Sequence, residues 1–185
     1  DNIVDDEENL NLKKRNLFAF KKRFFEKDFS SIKIKRMWEL IDEFSISTKI
    51  IEDLFDGIET DLETKVRLNS KKDLLIYSYR VAGTVGLMMS KILKVENKEA
   101  LKGAIDLGIA MQLTNIARDV NEDKKRDRKY IEHNFSSIKE TIEESEIFYQ
   151  GSFYSISSIP LRSRFSVIVA RRVYRKIGDY ILKQK

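Results

Sequence analysis

AMQLTNIARDVNED, Ala110 to Asp123, sets an amide and two carboxylates, Asn115, Asp119 and Asp123, four residues apart in a stretch whose flanks read as helix. Four residues advance an α-helix about 40° past a full turn, so these groups share a face. Gln112 carries that face back towards Gly108, while Ile105, Ile109, Leu113, Ile116 and Val120 line the other side as core. Asp and Glu are common on solvated helix faces, and a bare D-x-x-x-D carries little information. Gln112 and Asn115 are less expected there, because the surface of a basic protein more readily carries Lys or Glu. The alternative is a metal site: Mg²⁺ is hard, prefers carboxylate oxygen and is completed by water and substrate phosphate.

The rest of the chain supports helix throughout. Its 185 residues are enough for one sizeable core, and 42% hydrophobic with 35% charged residues describes a globular protein. One Pro and seven Gly are too few for a β-protein full of tight turns. Helical periodicity predicts elements over Leu17 to Phe29, Arg36 to Phe44, Ser47 or Thr48 to about Leu62, Asn69 or Ser70 to Leu93, and Lys98 to Asp123. Two more follow, from IKETIEESEIFYQGSFYSI and from PLRSRFSVIVARRVYRKIGDYILKQ, with Pro160 suited to the first turn of the last. KKRDRKYIEHNFSS between them reads as a mobile charged connection, with His133 a loop residue. No period-two strand is evident. The expected architecture is an all-α bundle of six or seven helices joined by short links.

Composition also excludes chemistry. Without Cys there is no disulfide framework, thiolate catalysis or Cys metal site, and one His makes a Ser-His-Asp triad improbable. Net charge +5 permits anionic partners without choosing among them. No apolar run reaches the length of a membrane span. The chain opens at Asp1 without Met, inside what reads as a helix, and is expected to be a fragment.

Three further stretches bear on the polar face. DNIVDD repeats the spacing of four with Asp1 and Asp5, a frayed acidic terminus or a second metal pair. Two such pairs facing each other across a bundle would hold several divalent ions, which suits a diphosphate. KKRDRKY after Asp123 is either a solvated linker or a basic flap that closes over that group with Arg128 and Lys124. In YSYRVAGTVGLMM, Ala82, Gly83 and Gly86 permit close helix packing or an apolar trough beside Tyr77 and Val81.

At these residues the sequence resembles the squalene/phytoene synthase family, the head-to-head prenyl synthases, and within it the bacterial-type phytoene synthase branch. YSYRVAGTVGLMM, DLGIAMQLTNIARDVNED and the R-x-Y of Arg128 and Tyr130 match its central signatures in order and spacing, and DNIVD resembles its first aspartate-rich motif. FYQGSFYSISSIPLRSRFSVIVARRVYRKIGDYI is similar to the C-terminal helices of the phytoene branch. The family's first motif usually has Asp where Asn2 stands, and Glu132 replaces a frequent Pro. The family's N-terminal helix and extreme C-terminus have no counterpart in this sequence.

The resemblance implies a single, partial isoprenoid-synthase helical domain over 1–185 with a central apolar cavity. It implies Mg²⁺, with Mn²⁺ as an alternative, on Asp1, Asp5, Asp119 and Asp123. Tyr77, Gln112, Asn115, Asp119 and Asp123 would serve catalysis. Val81, Ala82, Arg118, Arg128 and Tyr130 would bind substrate. The implied reaction joins two geranylgeranyl diphosphates through a cyclopropyl diphosphate to phytoene, for carotenoid biosynthesis, without NADPH. Lipid substrates imply a cytoplasmic enzyme with peripheral membrane association. Three alternatives stay open: a squalene-type or C30 synthase using farnesyl diphosphate, a non-catalytic helical assembly factor of the same fold, and a basic nucleic-acid-binding domain. The last is disfavoured, because the basic residues are spread among acids and form no recognition helix.

Overall fold

The structure, a computed structural model, describes residues 10–95 and 97–183. In chain order it contains α1 (Leu10–Phe25), α2 (Ile32–Glu43), α3 (Thr48–Asp61), the short strand β1 (Val66–Arg67) and α4 (Lys71–Ser78). A π-helical turn (Tyr79–Gly83), α5 (Thr84–Ile92), α6 (Lys98–Lys125) and the strand β2 (Arg128–Lys129) follow. The chain ends with α7 (Phe135–Phe153), a 3₁₀ turn (Tyr154–Ser158) and α8 (Leu161–Ile181). The all-α expectation holds, with α4, the π turn and α5 running as one unbroken rod.

Local chemistry sets the boundaries. Ser47 accepts from Lys49 N at 3.3 Å, Ser70 from Asp73 N at 3.1 Å, and Asn134 from Ser137 N at 2.8 Å. Asn97 Oδ1 takes two orphan donors of α6, Glu99 N at 2.8 Å and Ala100 N at 3.2 Å. Pro160 is the residue before α8 rather than part of its first turn. Helix α1 ends at Phe25, not at Phe29, because Trp38 Nε1 donates to the Phe24 carbonyl at 2.8 Å and Lys27 turns left-handed with φ 55°. Ser45, Lys94 and Asp127 adopt the same positive φ just beyond α2, α5 and α6.

The caps leave the glycines for another use. All seven lie within helical segments, and none has positive φ. They serve helix crossings. A Cβ on Gly86 would stand 2.3 Å from the Ala104 carbonyl oxygen, and one on Gly108 would stand 2.4 Å from that of Ala82. A Cβ on Gly57 would meet Val81 Cγ1 at 2.8 Å, so α3 presses against the π turn as well.

Helix α6 is the axis of the molecule, touching α4, the π turn, α5, α7, the 3₁₀ turn and α8. Ile109, Leu113, Ile116 and Val120 are buried as the apolar stripe predicts, and Ile105 is half-buried. Ala110, Thr114 and Ala117 are buried too, so most of the helix circumference is covered. Thr114 and Tyr149 join hydroxyls at 3.0 Å inside the α6–α7 contact. A second core fills the space among α1, α2 and α3, where Phe24 stacks on Trp38 at 5.3 Å beside Phe55 and Ile34.

The charged connection after α6 is tied down. Strands β1 and β2 pair in parallel, Val66 with Arg128 and Arg67 with Lys129, and Leu68 N donates to Lys129 O at 3.1 Å. Arg67 also donates to the Asp127 carbonyl at 2.6 Å and binds the Asp127 carboxylate. The expected mobile segment is therefore anchored, and its first residues, Lys124 and Lys125, belong to α6. A two-residue ladder has no alternation for sequence periodicity to detect.

The glycine crossings give opposite expectations for two substitutions. Gly86→Ala puts a methyl group into backbone and should destabilise by about 1–3 kcal/mol. Gly178→Ala brings its Cβ only to 3.3 Å from Ile142 Cγ2, against flexible side chain, and gains helix propensity. It should remain within about 1 kcal/mol of wild type. Urea melts followed by circular dichroism check both.

Candidate active site

The crossing of α5 and α6 leaves a trough. Val81 and Ala82 of the π turn, Gly86 of α5, and Gly108, Gln112 and Asn115 of α6 line a cavity of about 390 Å³. Small residues at the crossing keep side chains out of this space, while Met89 and Met111 supply apolar walls. Asn115 Oδ1 is buried with no hydrogen-bond partner among the described residues. An unpaired buried acceptor costs about 1–3 kcal/mol, so this carbonyl suits a donor or cation that arrives with ligand.

Beside the trough lies a junction of two tyrosines and one acid. Tyr77, from α4, and Tyr130, just after β2, stack at 4.9 Å with 24° between their planes. Tyr77 donates its hydroxyl to the two Asp61 carboxylate oxygens at 2.9 and 3.1 Å, and Tyr130 donates to Oδ1 at 2.6 Å. The β1–β2 ladder makes this possible by bringing Tyr130 back over the end of α3. Arg128 Nη2 adds a bond to the Asp61 backbone carbonyl at 3.2 Å. Burial, then the Asp61 charge, pushes both phenols well above the usual tyrosine range. They are buried hydrogen-bond donors and poor bases.

The carboxylates of α6 divide between two environments. Asp119 forms a two-point pair with its neighbour Arg118, at 2.7 and 2.6 Å. Asp123 shares a narrow crevice with Arg128, Tyr130 and His133. Burial pushes its carboxyl up to about 6; Arg128 opposes the shift, and the charges of Asp119 and Asp61 add to it. The Asp119 and Asp123 carboxylates, in line with the Asn115 amide oxygen, are an all-oxygen donor set that fits Mg²⁺ or Mn²⁺. Among the described residues no three His, Cys, Asp or Glu gather closely enough to hold a metal. Asp1 and Asp5, the other expected ligands, lie outside the described residues.

The residues singled out in the sequence thus fall into three places. Val81, Ala82, Gln112 and Asn115 line the trough. Asp123, Arg128 and Tyr130 meet in the crevice. Arg118 and Asp119 pair at the α6 surface. Tyr77 joins Tyr130 and is not among the residues lining the trough. Sequence reading missed Asp61. It stands in DGIETDLE, one acid among several, and nothing local marks it as the acceptor for tyrosines 16 and 69 residues away.

A helical bundle whose central helix carries an aspartate stripe beside an apolar trough has the architecture of the all-α isoprenoid synthases. The structure matches squalene synthase HpnC from Alicyclobacillus acidocaldarius with a TM-score of 0.81 at 14% identity, over 99% of this chain and 78% of that one. It matches a dehydrosqualene synthase solved in complex with ligand with a TM-score of 0.84 at 25% identity, over 100% of this chain and 72% of that one.

The chain belongs to the squalene/phytoene synthase family, whose model matches residues 1–135. It is 34% identical over 149 residues to the 15-cis-phytoene synthase of Paracoccus sp., covering 71% of this chain and 49% of that protein. It is 35% identical over 147 residues to that of Pantoea ananas, covering 68% and 47%. Phytoene synthase 1, chloroplastic, of Zea mays is 31% identical over 170 residues, covering 77% and 41%. The chain spans about half the length of the bacterial relatives. Among the described residues no helix is long and apolar enough to cross a membrane.

The tyrosine junction predicts an alkaline signature. Tyr77 and Tyr130, like the buried Tyr149, should resist ionisation when exposed phenols titrate near pH 10. Their folded pKa values are raised, so the stability they confer is present below pH 10 and declines as pH rises further. Asp61→Asn removes one cause and leaves burial, so both should ionise earlier than in wild type but later than free tyrosine. Ultraviolet difference titration reads the shift.

Proposed function

We propose that this protein is a Mg²⁺-dependent prenyltransferase that joins two geranylgeranyl diphosphates head to head, through a cyclopropyl diphosphate, to phytoene with release of diphosphate. The observation that carries this reading is the trough. It is apolar along its length, and its polar end, at Gln112 and Asn115, lies on the helix that carries Asp119 and Asp123. An amphiphile with a long hydrocarbon and a compact anion matches that gradient. The 31–35% identity to proteins named phytoene synthase supports the C20 substrate.

In this reading Asp119 and Asp123, with Asp1 and Asp5, hold the metal, and Asn115 completes the oxygen set. The metal, when bound, neutralises the diphosphate and makes it a better leaving group. Arg118 releases Asp119 and turns to the diphosphate, while Arg128 and the basic end of α6 contact the same anion. Val81 and Ala82 hold the chain against the α6 wall. Tyr77 and Tyr130, kept protonated, offer ring faces that stabilise a carbocation without adding to it. The trough excludes the water that would quench that cation. The final cation loses a proton, so NADPH is not required. The lipid substrate and product favour work at a membrane surface.

The dehydrosqualene synthase match supports a second reading, a C30 synthase taking farnesyl diphosphate. The full-length protein, given each diphosphate with Mg²⁺ and with or without NADPH, should yield phytoene from the C20 substrate and no NADPH effect. Preference for the C15 substrate would move the protein to the C30 reading, and no product from either would favour a non-catalytic assembly role. Asp119→Asn and Asp123→Asn remove ligand charge with little change of volume. Each should lower turnover by about a hundredfold or more while circular dichroism stays unchanged. Near-normal rates at saturating Mg²⁺ would return the stripe to a solvated face.

A further inference from the structure

The trough has a measurable depth. Its α6 wall is a single helical face, Ala100, Ala104, Gly108, Met111 and Asn115, at intervals of three or four residues. From Asn115 to Ala100 the helix rises about 22 Å, in steps of roughly 5.4 Å per turn. The opposite wall runs antiparallel, with Ala82 against Gly108 and Gly86 against Ala104. The trough therefore deepens away from the aspartates, towards the loop joining α5 to α6.

Its deep half offers only hydrocarbon. Three serines line it, and each spends its hydroxyl on a backbone carbonyl. Ser90 donates to Gly86 O at 2.9 Å, Ser152 to Tyr149 O at 2.9 Å, and Ser155 to Glu99 O at 2.9 Å. The Ser155 bond also fixes the 3₁₀ turn onto α6, with Gly103 leaving the room for it. Ala100 shares the lining with Leu93 and Val95 from the α5–α6 loop and with Ile156 and Ile159 from and just after the 3₁₀ turn.

An isoprene unit adds four carbon–carbon bonds to a chain. At about 1.5 Å per bond in zigzag, it advances roughly 5 Å, close to one helical turn. Three units counted from Asn115 end near Ala104, and the fourth reaches Ala100. We infer that Ala100, with Ile159 of the same lining, is the stop of a prenyl-length gauge that admits a fourth isoprene unit and rejects a fifth. This rests on the prenyl diphosphate reading above and assigns the residues that set its chain length.

The test uses the full-length protein in competition between farnesyl and geranylgeranyl diphosphate, for wild type, Ala100→Phe and Ile159→Trp. Wild type should favour the C20 substrate. Each variant fills the fourth turn and should lower kcat/KM for C20 at least tenfold while changing that for C15 less than threefold. Circular dichroism melts establish which variants fold. Binding to wild type of non-reactive thiolo-diphosphates of ten, fifteen, twenty and twenty-five carbons needs no variant: affinity should rise at each step to twenty and fall at twenty-five. An unchanged C15-to-C20 ratio in a folded variant, or a wild-type optimum at any other length, would overturn the gauge. Wild type that neither converts nor binds any of these diphosphates defeats the prenyl reading itself, and the gauge with it.

Discussion

The bundle depends on one approach of backbone to backbone. Where α5 crosses α6, Gly86 lies on the Ala104 carbonyl and Gly108 on that of Ala82, closer than any side chain allows. Two helices held this tightly bury their peptide groups against each other. They also remove the side chains that would otherwise fill the space alongside. The same contact thus sets the spacing of the rods and opens the trough. The π turn at Tyr79–Gly83 belongs to this arrangement. Its wider winding shifts the phase of the rod, so that α4 presents Tyr77 to the acid junction while the segment after it faces the cavity and α6.

Electrostatics follows from that packing. With α6 covered on most sides, its polar residues have few directions left. Asn115 remains at the cavity with an oxygen unpaired among the described residues, and Asp123 is confined where its charge is disfavoured. Asp61 has the opposite circumstance, with its carboxylate enclosed by two phenolic donors. One acid is short of partners and the other is well supplied. That contrast separates a group suited to receive a ligand from one suited to hold two rings in place.

Much of this was legible in the sequence, and the losses have physical reasons. The period of 3.6 marked α6 and its core stripe, because burial of Ile109, Leu113 and Ile116 is dictated by local spacing. Ser47 and Ser70 were readable as helix starts for the same reason: a cap acts within three residues. The junction at Asp61 was not readable. Its partners come from α4 and from beyond β2, and that meeting is decided by the β1–β2 ladder, too short to leave a pattern. Nor does spacing tell that Gln112 and Asn115 face a cavity while Asp119 pairs with Arg118. The family resemblance named these residues, and only the fold distributes them among trough, crevice and surface.

The left-handed residues that end four helices have a consequence for engineering. Lys27, Ser45, Lys94 and Asp127 each carry a side chain at a backbone angle that favours glycine, at a penalty of roughly 1 kcal/mol apiece. Glycine at Ser45 or Lys94 relieves that penalty at sites that line neither the trough nor the crevice. The molecule therefore holds a reserve of thermal tolerance in its turns, separable from the cavity, which a stabilised variant could draw on without altering what the cavity accepts.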